Sequence, residues 1–145
     1  MAKGYPDYFG QSMWPKYGAP LMDSAEEIGI ANLATKTLHS IAAQGVLYDL
    51  TVLISGSSSI DGAIFYLKID GEEITRWAPN SAYERFYHIT GTEAIVVEVI
   101  DFSTRMMIVR LRRELPFRSS VVLTVYNGTG DFVTVRSYLV YYVVT

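Results

Sequence analysis

Residues 121–144 read VVLTVYNGTGDFVTVRSYLVYYVV, and this stretch decides the fold class. Val121 to Tyr126 and Phe132 to Val144 are rich in β-branched and aromatic residues, which suit the pleated surface of a strand. Between them lie Asn127, Gly128, Thr129, Gly130 and Asp131, residue types that accept positive φ or bond back to their own backbone. The pattern predicts two antiparallel strands joined as a hairpin. In the second strand Val133, Val135, Leu139, Tyr141 and Val143 share one face at period two. The opposite face opens with Thr134 and Arg136 and then turns apolar at Tyr138, Val140 and Tyr142. A strand apolar on both faces is buried on both, and in a small sandwich one of those burials often belongs to a partner. Tyr138, Val140 and Tyr142 are therefore candidate subunit-interface residues.

Further strands precede this pair. Val46, Tyr48, Leu50, Val52 and Ile54 alternate with Asp49, Thr51 and Ser55. Phe65, Leu67 and Ile69 keep step up to Asp70-Gly71, a two-residue signal for a type I′ turn that returns the chain through Glu73, Ile74 and Thr75. Tyr83 to Ile89 predicts a short strand, Ala94 to Ile100 another, and Arg105 to Arg112 a third with Met107, Val109 and Leu111 together. Leu115-Pro116-Phe117 interrupts the series, because proline has no N–H for a ladder. Thr35 to Ala43 fits helix and strand spacing alike, and strand is favoured. Asp23 to Glu27, with Ser24 and Glu27 placed as a capping box, predicts one or two helical turns or a tight loop, since Gly29 weakens a longer helix. About eight short strands separated by turns indicate an all-β chain, an antiparallel β-sandwich or jelly-roll-like domain.

Residues 1–22 are different. Gly4, Gly10 and Gly18 with Pro6, Pro15 and Pro20 forbid a long helix or regular strand. Yet Tyr5, Tyr8, Phe9, Met13, Trp14 and Tyr17 are too apolar for a solvated tail. The segment reads as an extended, irregular N-terminal arm on a domain of residues 23–145. Its rings need a surface, either on their own domain or, as favoured here, on a neighbouring subunit.

Composition removes several function classes. Half of the 145 residues are hydrophobic, 19% are charged and the net charge is −3, which disfavours a partner made of phosphate backbone. Without cysteine there is no disulfide framework or thiolate nucleophile. No apolar run has the length of a membrane span, and the first twenty residues lack a signal-peptide core, so synthesis in the cytoplasm is expected. Eleven tyrosines are many for this length, and tyrosine suits interfaces.

No residue pattern points to catalysis, a cofactor or a metal. His39 and His88 stand alone in sequence, and no nucleophile elbow, phosphate loop or HExxH helix is present. Asp70, Glu72 and Glu73 do not have EF-hand spacing. Arg105, Arg110, Arg112, Arg113 and Arg118 are a local basic concentration that strand alternation splits between faces. The rival to an interaction role is sugar stacking, for which Trp77, Tyr83 and Tyr87 supply candidate rings.

The opening Lys3-Gly4-Tyr5-Pro6-Asp7-Tyr8-Phe9-Gly10-Gln11-Ser12, followed by Trp14-Pro15-Lys16-Tyr17-Gly18, resembles the N-termini of virion structural proteins of tailed bacteriophages. Residues 67–74, 114–117, 121–127 and 133–142 are similar to β-rich domains of the same class. Within it the chain looks most like a capsid decoration (auxiliary or cement) protein. The resemblance implies a homotrimer on the outside of the virion capsid that binds the major capsid protein and sends arms to neighbouring subunits. A head or tail fibre module, a carbohydrate-binding sandwich and a tail or head-completion protein are the alternatives.

Overall fold

The computed structural model describes residues 18–56, 60–79, 94–101 and 106–144. Expectations for the arm aromatics Tyr5, Tyr8, Phe9, Met13, Trp14 and Tyr17, for the strand at Tyr83 to Ile89, and for His88 and Arg105 lie outside these residues. Ten strands run through the described part: β1 (Leu21–Ile30), β2 (Thr35–Ala42), β3 (Gly45–Gly56), β4 (Ala63–Ile69), β5 (Glu72–Trp77), β6 (Ile95–Asp101), β7 (Met106–Leu111), β8 (Leu115–Phe117), β9 (Ser120–Asn127) and β10 (Val133–Val143). They form two antiparallel sheets. One has the order β1-β10-β3-β7-β6, with β8 pairing the start of β3; the other has the order β2-β9-β4-β5. The expected β-sandwich is the observed fold.

The core is what alternation along each strand requires. Leu47, Leu50, Val52 and Ile54 of β3, Val133, Val135 and Leu139 of β10, and Met107 and Val109 of β7 are buried from one sheet. Phe65 and Leu67 of β4, Val121, Leu123 and Val125 of β9 and Trp77 of β5 meet them from the other. Burying each such side chain contributes about 1.5–3 kcal/mol relative to leaving it in water. Phe65 and Trp77 are paired across β4 and β5 and stack with ring centroids 5.2 Å apart and planes 11° from parallel.

Three expectations are corrected. The first is the hairpin at 121–144. β9 and β10 belong to different sheets, so residues 128–132 cross between the layers instead of turning within one. Asn127 holds this crossing. Its Nδ2 donates to the carbonyls of Ile30 (2.9 Å) and Asp131 (2.7 Å), and its Oδ1 accepts from the N–H (3.0 Å) and hydroxyl (2.7 Å) of Thr129. The second is the helix at Asp23 to Glu27. That segment is strand, paired to β10 with a bulge between Ala25 and Ile28, and Glu27 takes φ 51° within it. Glu26 and Glu27 bond Tyr138 and Arg136 of β10, not a free helix end. The third is the face of Val46 and Tyr48. A bulge where β3 pairs β10 puts Tyr141 opposite Leu47 and Val140 opposite Asp49. The alternation changes phase there, so Leu47 and Leu50 both point inward while Tyr48 is half exposed.

Other expectations hold in detail. Residues 35–42 form a strand. Asp70 and Gly71, at φ 55° and 84°, make the tight turn between β4 and β5. Leu115-Pro116-Phe117, expected to interrupt the strands, separates β7 from β9 but is itself the short strand β8, which among the described residues pairs with β3.

Candidate interaction surface

The three residues expected at an interface stand on the outward face of β10. Register places Tyr138 opposite Thr51, Val140 opposite both Met22 and Asp49, and Tyr142 opposite Val46. Met22 is 67% exposed and Tyr48 50%. The Tyr48 and Tyr142 rings meet edge to face, with centroids 5.5 Å apart, a geometry that the aromatic quadrupole favours. Gly18, Val46, Tyr48, Glu114 and Tyr142 line a groove of about 370 Å³ beside them. Gly18 is also where the N-terminal segment joins the sheet, its N–H donating to the Val143 carbonyl at 3.0 Å. Across the strands, Gly45 has no room for a Cβ against the Tyr142 carbonyl, so glycine is what permits β3 and β10 to lie this close here.

Toward the other end the same face turns polar. The Tyr138 hydroxyl donates to Glu26 at 2.7 Å, which holds its proton more tightly than usual. Arg110 reaches Asp49 at 3.3 Å. Arg110 is thus committed to the face of the six-stranded sheet, while the backbone N–H of Arg118 serves Asp70 elsewhere.

Asp70 is turned toward backbone, accepting from the N–H groups of Arg118, Ser119 and Ser120 at 2.7–3.1 Å. These bonds, chiefly those from Ser119 and Arg118, lower its pKa to about 2. Glu73 pairs with Arg76. Asp70 is therefore spent on a turn and Glu73 on a surface pair. Trp77, the central ring of the sugar-stacking alternative, is fully buried against Phe65 and presents no face to a ligand. Tyr83 and Tyr87 lie outside the described residues.

One constellation escaped the sequence. His39 of β2, isolated along the chain, lies between Asp23 of β1 and Ser137 of β10. Its Nδ1 is 2.6 Å from the Asp23 carboxylate and its Nε2 2.7 Å from Ser137 Oγ. A carboxylate only accepts, so Nδ1 carries the proton and the Ser137 hydroxyl donates to Nε2. The order of contacts is that of a serine-hydrolase triad, but the exposures are inverted. The Ser137 and His39 side chains are fully buried while Asp23 is 42% exposed, so the group that would attack is the one no substrate reaches. A fluorophosphonate probe is expected to leave the folded protein unlabelled; stoichiometric labelling of Ser137, read by mass spectrometry, would contradict this. The one trace of the trio in the sequence is the lone serine at an inward position of an otherwise apolar β10 face.

No protein-family model matches the chain, and no curated protein matches it. Among solved structures it is similar to the infectious bursal disease virus VP2 subviral particle, at 13% identity over 88% of this chain and with a TM-score of 0.24. The chain spans 42% of the length of that protein, a weak structural neighbour drawn from a virus particle.

Proposed function

We propose that this chain is a non-enzymatic structural subunit of a virion, which docks through the outward face of β10 and β3 together with its aromatic arm. One observation carries the proposal. Val140, Tyr142, Val46, Tyr48 and Met22 form an exposed to half-buried apolar strip that is continuous with the root of the arm at Gly18. Apolar surface gathered in one place beside a ring-rich segment is what a docking site needs, and aromatic anchors are typical of interface centres. The arm's resemblance to virion proteins of tailed phages supports the finer reading of a capsid decoration protein. In that reading the chain is a homotrimer on the capsid exterior, bound to the major capsid protein, with arms that tie several weak contacts into one slowly released unit.

The test is co-sedimentation of the purified full chain with shells of the major capsid protein at pH 7.5, beside native mass spectrometry of the free chain. Wild type is expected to sediment with the shells and to be trimeric. Val140→Arg, at an outward position, is expected to keep the fold and weaken binding at least ten-fold. A full-length variant with Tyr5, Tyr8, Phe9 and Trp14 changed to serine is expected to do the same. Equal binding by all three proteins rejects the docking surface, and a six- or twelve-membered ring in place of a trimer rejects the decoration reading.

A further inference from the structure

We propose that the Asp23–His39–Ser137 linkage is an acid-sensitive latch that holds the root of the N-terminal arm against the sandwich and lets go in mildly acidic solution. The inference rests on the docking reading only for what the released segment is used for; the latch itself is a property of the free chain.

Its position carries the argument. β1 is an edge strand of the six-stranded sheet and β2 an edge strand of the other, so the linkage closes one open side of the sandwich. Asp23 lies in the part of β1 nearest the arm. Among the described residues Leu21 to Ala25 are paired on one side only, to residues 137–141 of β10, and the bulge at Glu26 and Glu27 separates them from Ile28 to Ile30. With Glu27 at φ 51°, that bulge is a break at which the first half of β1 can part from the second. On this half Ala25 is buried in the core, while Leu21 and Met22 are exposed at 46% and 67%, so its apolar anchorage is concentrated at its inner end. The His39 bridge adds a side-chain tie to the β10 ladder where the apolar anchorage is weakest. β2 is itself irregular at His39, with a register shift between Thr37 and His39.

The chemistry sets the direction. Neutral His39 satisfies both neighbours, donating to Asp23 and accepting from Ser137. A proton added at Nε2 forces the buried Ser137 hydroxyl to accept where it had donated, and places a cation in a site closed to water. Burial pushes the His39 pKa below its ordinary 6.5, and the opposing pull of Asp23 is smaller. Other charged groups on the packed elements do not come to its rescue. Glu26 and Glu27 of β1 engage Tyr138 and Arg136 on the outer face, Lys36 of β2 is exposed, and β9 contributes only Tyr126 as a titratable group. A group with a lowered folded pKa contributes stability that is complete above its unfolded value. That contribution is lost as pH falls from about 6.5 toward the folded value. Protons in this window favour the opened strand.

Hydrogen exchange by mass spectrometry on the full chain tests the latch without any partner. After correction for the intrinsic pH dependence of exchange, peptides covering residues 21–25 and 37–41 are expected to exchange at least ten-fold faster at pH 5.5 than at pH 7.5. Residues 50–54 of β3 are expected to stay unchanged. His39→Gln, which keeps hydrogen-bonding groups but cannot titrate in this range, is expected to abolish the difference. An NMR titration of the His39 ring in the unaltered protein gives a second measurement, with a midpoint expected below 6.5. A midpoint at or above 6.5, no change at residues 21–25, or a uniform rise across every strand overturns the latch. Because shell binding is measured at pH 7.5, failure of the docking surface and failure of the latch are distinguishable.

Discussion

Trp77→Ala is expected to lower the unfolding free energy by about 3–5 kcal/mol, a large share of the roughly 5–15 kcal/mol that holds a domain of this kind together. The indole is fully buried on β5, and its removal takes away both the transferred apolar surface and the stacked partner of Phe65. The cavity it leaves lies between two sheets whose strands are fixed by their ladders, so little collapse is available to refill it. Urea unfolding followed by far-ultraviolet circular dichroism measures the loss. A drop of less than about 1 kcal/mol, typical of a surface substitution, would mean that the ring is not a core residue and would return it to the pool of ligand-stacking candidates. Trp77→Phe, which preserves a ring against Phe65, is expected to recover much of the loss.

Asn127→Ala is expected to cost on the order of 3 kcal/mol, and for a different reason. Nothing apolar is lost. Instead the carbonyls of Ile30 and Asp131 each lose their Asn127 donor, and the Thr129 N–H loses its acceptor, all around a fully buried position. An asparagine in a simple hairpin turn costs far less to replace, so the magnitude separates a crossing between sheets from a turn within one. If urea midpoints of wild type and Asn127→Ala agree within a few tenths of a molar, Asn127 does not pin the crossing. Asn127→Asp is expected to be at least as damaging, because it removes both donors and places a charge where water does not reach.

The two substitutions show which features were legible in the sequence. Strand content was legible because period-two alternation is a local property: Phe65 and Leu67, or Met107 and Val109, announce their face without reference to a partner. The Asp70-Gly71 turn was legible for the same reason, since positive φ at consecutive residues is a demand on two side chains alone. The outward position of Tyr138, Val140 and Tyr142 follows from the alternation of β10, whose inward residues are Val133, Val135, Ser137 and Leu139.

The destination of a loop was not legible. Asn127 to Asp131 has the composition of a hairpin turn, and five such residues suit either a return within one sheet or a step of about 10 Å between two. The choice is made by the carbonyl of Ile30, 97 residues away, which meets the Asn127 amide only after β1 is in place. The bulges in β1 and β3 were equally hidden. Val46, Tyr48 and Leu50 alternate without interruption, so the phase change that turns Tyr48 outward has no local trace. The capping-box pattern at Ser24 and Glu27 was present in the sequence but was overridden by pairing to β10, which uses both acids on its outer face.

What the sequence by itself determined is therefore the chemistry of each segment: an all-β chain, an N-terminal stretch rich in aromatic residues, proline and glycine, and a final strand apolar on both faces. The tertiary structure alone decided which strands share a sheet, how the groove beside Gly18 is built, and that His39, with no carboxylate near it along the chain, sits between Asp23 and Ser137. The reason is physical. Side-chain periodicity and turn conformation are energies of neighbouring residues, whereas layer choice, bulges and buried polar partners are energies of residues far apart in the chain, 98 positions for His39 and Ser137 and 112 for Glu26 and Tyr138, which no local pattern encodes.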